Sequence, residues 1–169
     1  IKSEEQRRNY AEALVKLDKF ISGELKTSQV FDVDKLAKFH AVLDLVGGQF
    51  SLDWSDVKYY YNPPTQKLEP VGYESFSVRN SAQLCGASKF RNKNNSQPEF
   101  HELLCSDAEF FAAYLKQLER ISDKKYLKKF FSKKEYELAN NLAILYSEFA
   151  YKKLPLNQYY RNQENIKAL

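Results

Sequence analysis

The chain has 169 residues, 43% of them hydrophobic and 15% aromatic, enough to build one apolar core and too many for intrinsic disorder. Its formal charge is +4, from 26 basic and 22 acidic residues. Because the basic residues are interleaved with acids along the chain, they predict a solvated surface and no nucleic-acid partner. No apolar run reaches the length of a bilayer crossing, so we expect no membrane span in residues 1–169.

Cysteine and histidine are scarce in this sequence. The two cysteines, Cys85 and Cys105, and the two histidines, His40 and His101, fit neither a disulfide framework nor a zinc cluster. The sequence is compatible with a single Cys85–Cys105 disulfide, so it does not determine whether the protein lies in a reducing or an oxidising compartment. His40 lies beside an apolar helix face and is interpreted as a packed histidine.

Residues 1–50 contain two segments in which apolar residues recur at helical spacing. The first starts near the N-terminus and the second covers residues 32–46. Local signals mark where each should begin and end. The first helix is predicted to begin at a capping box of Ser3 with Gln6 and to end at Gly23. The second is predicted to be capped by Asp34 and to end at Gly47 and Gly48.

The pattern changes between residues 51 and 75, where a β-hairpin is predicted. Residues 57–61 are aromatic and β-prone, 62–66 have the composition of a turn, and 68–73 can return as a second strand. Residues 76–97 are mostly small and polar, which predicts a long exposed loop.

Residues 98–169 are predicted to be helical, with helices near 107–121, 124–131 and 133–149 and a short last helix over 159–169. Capping boxes are predicted at Ser106 with Glu109 and at Ser132 with Glu135. Two apolar stripes are interpreted as core: Phe110, Phe111, Tyr114, Leu115, Leu118 and Ile121, and then Leu138, Leu142, Leu145 and Phe149. The predicted fold class is α+β, mainly α, in a single domain over residues 1–169 with a small hairpin packed on a helical core.

Acidic residues flank the predicted hairpin on both sides. Asp53 and Asp56 precede it and Glu74 follows it. Protein kinases use one carboxylate to orient the attacking hydroxyl and another to hold Mg²⁺ on the nucleotide phosphates. Acidic residues also flank many hairpins only because charged side chains keep the surface soluble. Both interpretations, a catalytic site and a soluble surface, are therefore kept at this point.

Three stretches of the sequence carry a resemblance to a known family. They are "FDVDKLAKFHAVLDLVGG" (31–48), "LDWSDVKYYYNPPTQKLEPVGYE" (52–74) and "YRNQENI" (160–166). Together they resemble the CotH family of spore-coat kinase-like proteins, including its many bacterial members. The resemblance implies an atypical kinase fold whose mainly helical C-terminal lobe is represented here. It also implies ATP with Mg²⁺ or Mn²⁺, a protein substrate or surface protein partner, and a place outside the cytoplasm or at the cell surface, although the sequence itself fixes no compartment.

The resemblance assigns roles to individual residues. Asp53 matches the catalytic acid that orients a substrate hydroxyl, whereas Asp56 and Glu74 match metal-binding positions. Glu74 departs from the family, which has aspartate there, and its extra methylene displaces the carboxylate oxygens. Lys58 stands five residues after Asp53, where a kinase has a metal-binding asparagine, and its ammonium group would repel a divalent cation.

A nucleotide site of this kind also needs a loop that covers the phosphates and a lysine on an upstream strand. The chain has five glycines, and none of them forms a G-x-G arrangement. We therefore expect those parts in a preceding lobe of a longer protein, with no tightly bound cofactor and no activity in residues 1–169 alone. The alternatives are a degenerate kinase-like binding or structural module, and a helical scaffold unrelated in function.

Overall fold

The computed structural model describes residues 3–52, 56–75, 80, 84–85 and 99–169. These residues are mainly helical with one two-stranded antiparallel sheet, which confirms the α+β, mainly α prediction. The elements are α1 (Glu4–Ile21), α2 (Thr27–Val30), α3 (Val33–Val46), a 3₁₀ turn (Gln49–Leu52), β1 (Lys58–Asn62), β2 (Lys67–Val71), α4 (Phe100–Cys105), α5 (Ala108–Ser122), α6 (Lys124–Lys133), α7 (Glu135–Glu148) and α8 (Leu156–Ala168). Within the described ranges, none of these helices has both the length and the apolar character that crossing a bilayer requires.

The N-terminal helices begin at side-chain caps. In α1 the predicted capping box is confirmed, since the Gln6 amide donates to Ser3 Oγ at 3.2 Å and the Ser3 amide donates to Gln6 Oε1 at 2.9 Å. The cap of α3 is Asp32, which accepts from the Lys35 amide at 3.0 Å, and the prediction of Asp34 was wrong. The reason is tertiary, because the Asp32 amide also donates to the Leu68 carbonyl at 2.9 Å and so holds Asp32 in the extended conformation of a cap.

Two predicted caps in the second half of the chain were also wrong. Helix α5 is capped by Asp107, which accepts from the Glu109 amide, while Ser106 Oγ instead donates to the Leu103 carbonyl at 2.7 Å and closes α4. Helix α7 follows Lys134 without a side-chain cap, because α6 runs on past Ser132. Ser106 therefore belongs to the end of α4 and Ser132 to the interior of α6.

The core lies where α3 packs against α5 and α8. The stripe predicted on α5 is buried at four positions, Phe110, Tyr114, Leu118 and Ile121, while Phe111 and Leu115 are exposed. The stripe predicted on α7 is not core, since that helix has no buried residue and packs mainly against α6. Helical periodicity shows that a helix has an apolar side, but it does not show what covers that side.

The predicted hairpin is confirmed and lies on the helical core. Its strands pair antiparallel, with a register that runs from Lys58 opposite Val71 to Asn62 opposite Lys67. Leu68 is 4% exposed and bridges Phe31, which joins β2 to the segment that leads into α3. Most of the predicted loop 76–97 lies outside the described residues. Within it Asn80 is exposed, but the predicted exposure does not extend to Cys85, which is buried.

Candidate functional site

The hairpin brings two of the predicted site residues to the same end. Asp56 precedes β1 by two residues and Glu74 follows β2 by three. Since Lys58 lies opposite Val71 in the antiparallel register, both carboxylates flank the open end of the sheet. Asp53, the predicted catalytic acid, lies outside the described residues.

A close backbone contact fixes the chain that leaves β2. A Cβ atom built on Gly48 would lie 2.0 Å from the Ser75 carbonyl oxygen and 2.7 Å from its carbonyl carbon, so only glycine fits there. Glu74 has a φ of 47°, a left-handed conformation that turns the chain before it reaches Gly48. We call the region made by Asp56, Glu74 and the Gly48–Ser75 contact the hairpin base.

The contact at Gly48 also connects the hairpin base to the 3₁₀ turn. This turn starts at Gln49, directly after Gly48, and ends at Leu52, directly before the predicted catalytic acid. The Ser51 amide and hydroxyl both donate to the Gly48 carbonyl, at 3.1 and 3.0 Å. The segment that leads to the predicted catalytic acid therefore starts beside the chain that follows Glu74.

The hairpin base carries a positive charge as well as two negative ones. The Lys58 ammonium lies 5.3 Å from the centroid of the Tyr73 ring. Tyr73 directly precedes Glu74 in the sequence. Asp56 is half-buried, whereas Lys58 and Glu74 are exposed. A cation already lies at the position where the resemblance expects a metal-binding amide.

The donor chemistry of the hairpin base limits what it can hold. Among the described residues, no group of three or more His, Cys, Asp or Glu side chains is arranged to hold a metal ion. Two carboxylates nevertheless fit Mg²⁺ or Mn²⁺ that reaches the site with a nucleotide, because Mg²⁺ commonly takes one or two carboxylates together with phosphate oxygens and water. Asp56 and Glu74 could serve in that way.

Beside the 3₁₀ turn lies a buried polar cluster that sequence reasoning missed. Asp44 is 1% exposed and accepts hydrogen bonds from the Tyr114 hydroxyl, from Gln49 Nε2 at 3.1 Å and from the Cys85 amide at 3.4 Å. Burial raises the pKa of Asp44 to about 7, and these three hydrogen bonds only partly oppose the rise. In the sequence Asp44 is an ordinary polar position in a helix, so no local signal identified it.

His40 completes this cluster. It is 2% exposed, packs edge-on against Phe110 and lies with Nδ1 3.7 Å from Cys85 Sγ, in agreement with its interpretation as a packed histidine. Burial, with a smaller contribution from His101, lowers the pKa of His40 to about 4, so the ring is neutral at neutral pH. Its Nε2 atom has no hydrogen-bond partner among the described residues.

The third stretch of the resemblance, residues 160–166, has a structural role in α8. Asn162 Nδ2 donates to the Leu45 carbonyl at 3.0 Å, near the end of α3. Gln163 Nε2 donates to the carbonyls of Ile121 and Asp123, at 2.7 and 2.9 Å, where α5 ends. The Leu45 and Ile121 carbonyls lie in the last turns of α3 and α5, where carbonyls have no intrahelical partner, so these amides satisfy groups that would otherwise be buried and unpaired. The Asp123 carbonyl also accepts from the Tyr126 amide, at 2.8 Å.

Comparison of the chain with protein-family models, with curated proteins and with solved structures gives no match.

Proposed function

We propose that this chain forms the C-terminal lobe of an atypical, CotH-like protein kinase, which transfers phosphate from ATP to a protein hydroxyl. The observation that carries the proposal is the hairpin base, where Asp56 and Glu74 flank one end of the sheet and Ser75 packs on Gly48. A kinase needs this kind of positioning, because phosphoryl transfer depends mainly on orientation and electrostatic stabilisation. Asp53 would orient the acceptor hydroxyl.

In this proposal Asp56 and Glu74 would hold Mg²⁺ or Mn²⁺, which would neutralise the charge on the nucleotide phosphates. The nucleotide supplies the remaining ligands, so the two carboxylates need not bind the metal by themselves. The chain has no G-x-G arrangement to cover the phosphates. The proposal therefore assigns that task to a further lobe of the protein and assigns no transfer to residues 1–169 alone.

One observation favours a second candidate, a kinase-like module that binds a partner without catalysis. Lys58 lies over Tyr73 at the hairpin base, and its charge opposes that of a divalent cation. Glu74 is longer than the aspartate implied by the resemblance. If the full-length protein bound the nucleotide but transferred no phosphate, that result would support this second candidate.

The first test is the metal-dependent affinity for a nucleotide. In the protein of full length, Glu74→Gln is expected to weaken binding of ATP with Mn²⁺ about tenfold, because a neutral amide replaces a charged metal ligand. Isothermal titration with and without Mn²⁺ measures the change. The affinity for ATP without metal should stay nearly constant.

Glu148→Gln is the matched control, because it removes the same charge from an exposed position at the end of α7. It should leave the affinity with Mn²⁺ unchanged. Equal affinities in wild type, Glu74→Gln and Glu148→Gln would remove Glu74 from the metal site.

The second test is turnover. If the protein of full length is active, Asp53→Asn is expected to lower the rate of phosphate transfer at least about 100-fold, because asparagine cannot accept the proton of the acceptor hydroxyl. The affinity for ATP should change little. Transfer of labelled phosphate with Mg²⁺ and Mn²⁺ measures the rate.

Asp18→Asn, at an exposed position of α1, is the control for this substitution and should retain the wild-type rate. Full activity of Asp53→Asn would exclude Asp53 from the mechanism and leave the binding module as the better interpretation.

A further inference from the structure

The two cysteines of the chain lie side by side in the fold. Cys85 Sγ and Cys105 Sγ are 3.6 Å apart, although the residues are 20 positions apart in sequence. Both are free thiols in this structure. A disulfide bond is about 2.05 Å long, so two sulfurs in van der Waals contact need only small side-chain rotations to bond.

The backbone around Cys85 gives an independent reason to expect a constraint at this position. Cys85 has a φ of 55°, a left-handed conformation that residues with a Cβ atom seldom adopt. Its amide donates to buried Asp44, and its sulfur lies between His40 Nδ1 and Cys105 Sγ. A strained residue persists where its surroundings fix it, and strain of this kind occurs preferentially at functional sites.

The two thiols differ in the way that disulfide exchange requires. Cys105 is the last residue of α4 and is half-buried, and its hydrogen bond with Cys85 lowers the pKa of its thiol. The same hydrogen bond, together with burial, raises the pKa of the Cys85 thiol. Cys105 therefore ionises first and is the more accessible nucleophile, with Cys85 within reach to resolve a mixed disulfide.

We propose that Cys85 and Cys105 are a redox-active pair that forms an intramolecular disulfide by exchange with a low-molecular-weight disulfide such as oxidised glutathione. The Cys105 thiolate attacks one sulfur of the small disulfide and releases one small thiol. The Cys85 thiolate then attacks the Cys105 sulfur and releases the second small thiol, so that two protein thiols are oxidised and one small disulfide is reduced to two thiols. The product fastens the segment at Cys85 to α4, beside the Asp44 cluster.

The chain contains only these two cysteines, so the product can be identified by mass. The protein is incubated with oxidised glutathione, unreacted thiols are blocked, and the intact mass and the peptide map are recorded. The expected product has lost two hydrogen atoms and yields one cross-linked peptide pair containing Cys85 and Cys105. Its melting temperature should rise by roughly 6–12 °C and return to the original value in dithiothreitol.

Cys105→Ser is the matched variant, and it should give only a glutathione adduct or no product. Its interpretation does not depend on full stability, because the wild-type peptide map is decisive by itself. Wild-type protein that keeps both thiols, that carries separate glutathione adducts on each cysteine, or that forms only intermolecular disulfides would overturn the proposal.

Discussion

Gly48→Ala is expected to lower the free energy of unfolding by about 3 kcal/mol or more, at the upper end of what overpacking costs. The new Cβ atom would lie 2.0 Å from the Ser75 carbonyl oxygen, so backbone must move. For a chain of this size, such a loss corresponds to a fall of roughly 6–12 °C in melting temperature. Urea and thermal unfolding measure both quantities.

Gly72→Ala is the matched control for this substitution. Among the described residues, its Cβ atom would meet only the Ser75 side chain, with Oγ at 3.3 Å, and a serine hydroxyl can rotate away. We expect a change in unfolding free energy below about 1 kcal/mol. If both variants were equally stable, Ser75 would not pack on Gly48, and the hairpin base would lose the contact that defines it.

The second large effect is the pH dependence caused by Asp44. Its pKa in the folded protein is about 7, against an ordinary value of 3.8. Between these two pH values the Asp44 carboxyl is mostly protonated in the folded state and mostly ionised in the unfolded state. The contribution of Asp44 to stability is therefore fully present below pH 4, falls as the pH rises towards 7, and then stays constant. At 1.36 kcal/mol per pKa unit, the fall is about 4 kcal/mol as an upper value.

His40 opposes this fall over part of the same range. Its pKa is lowered from 6.5 to about 4 in the folded protein, so its contribution to stability rises between pH 4 and 6.5. The wild-type curve thus contains two terms of opposite sign. A comparison of variants separates them better than the wild-type curve alone.

Asp44→Asn is expected to remove the Asp44 term. Asparagine can still accept from Tyr114 and donate to a rotated Gln49 amide, so the cluster keeps most of its hydrogen bonds. The unfolding free energy of the variant minus that of the wild type should increase by up to about 4 kcal/mol between pH 4 and 7.5. Urea unfolding at a series of pH values gives this difference, whatever the constant offset between the two proteins.

Tyr114→Phe provides the matched comparison. It leaves the carboxyl in place but removes a hydrogen bond that lowers the pKa of Asp44, so the stability loss should extend above pH 7. A difference between Asp44→Asn and wild type that did not vary with pH would mean that Asp44 does not keep its proton in the folded state.

The elements that the sequence predicted correctly depend on interactions within a few residues. The Ser3–Gln6 capping box spans three positions, and Gly47, with a φ of 68°, ends α3 as a left-handed residue. The hairpin follows from the turn at residues 62–66 between two β-prone runs. Asp56 and Glu74 lie at the same end of the hairpin, because antiparallel pairing brings the residues before β1 near those after β2.

The tertiary structure decided the rest, because those outcomes depend on groups distant in sequence. Asp32 is the cap of α3 because of its hydrogen bond to β2, and the pKa of Asp44 is raised because its side chain is buried where α3 packs against α5. The stripe on α5 is buried and the similar stripe on α7 is not, since burial depends on a neighbouring surface that periodicity does not encode. The contact of Cys85 with Cys105 likewise has no local signal, because the two residues are 20 positions apart and only the tertiary structure brings their sulfurs together.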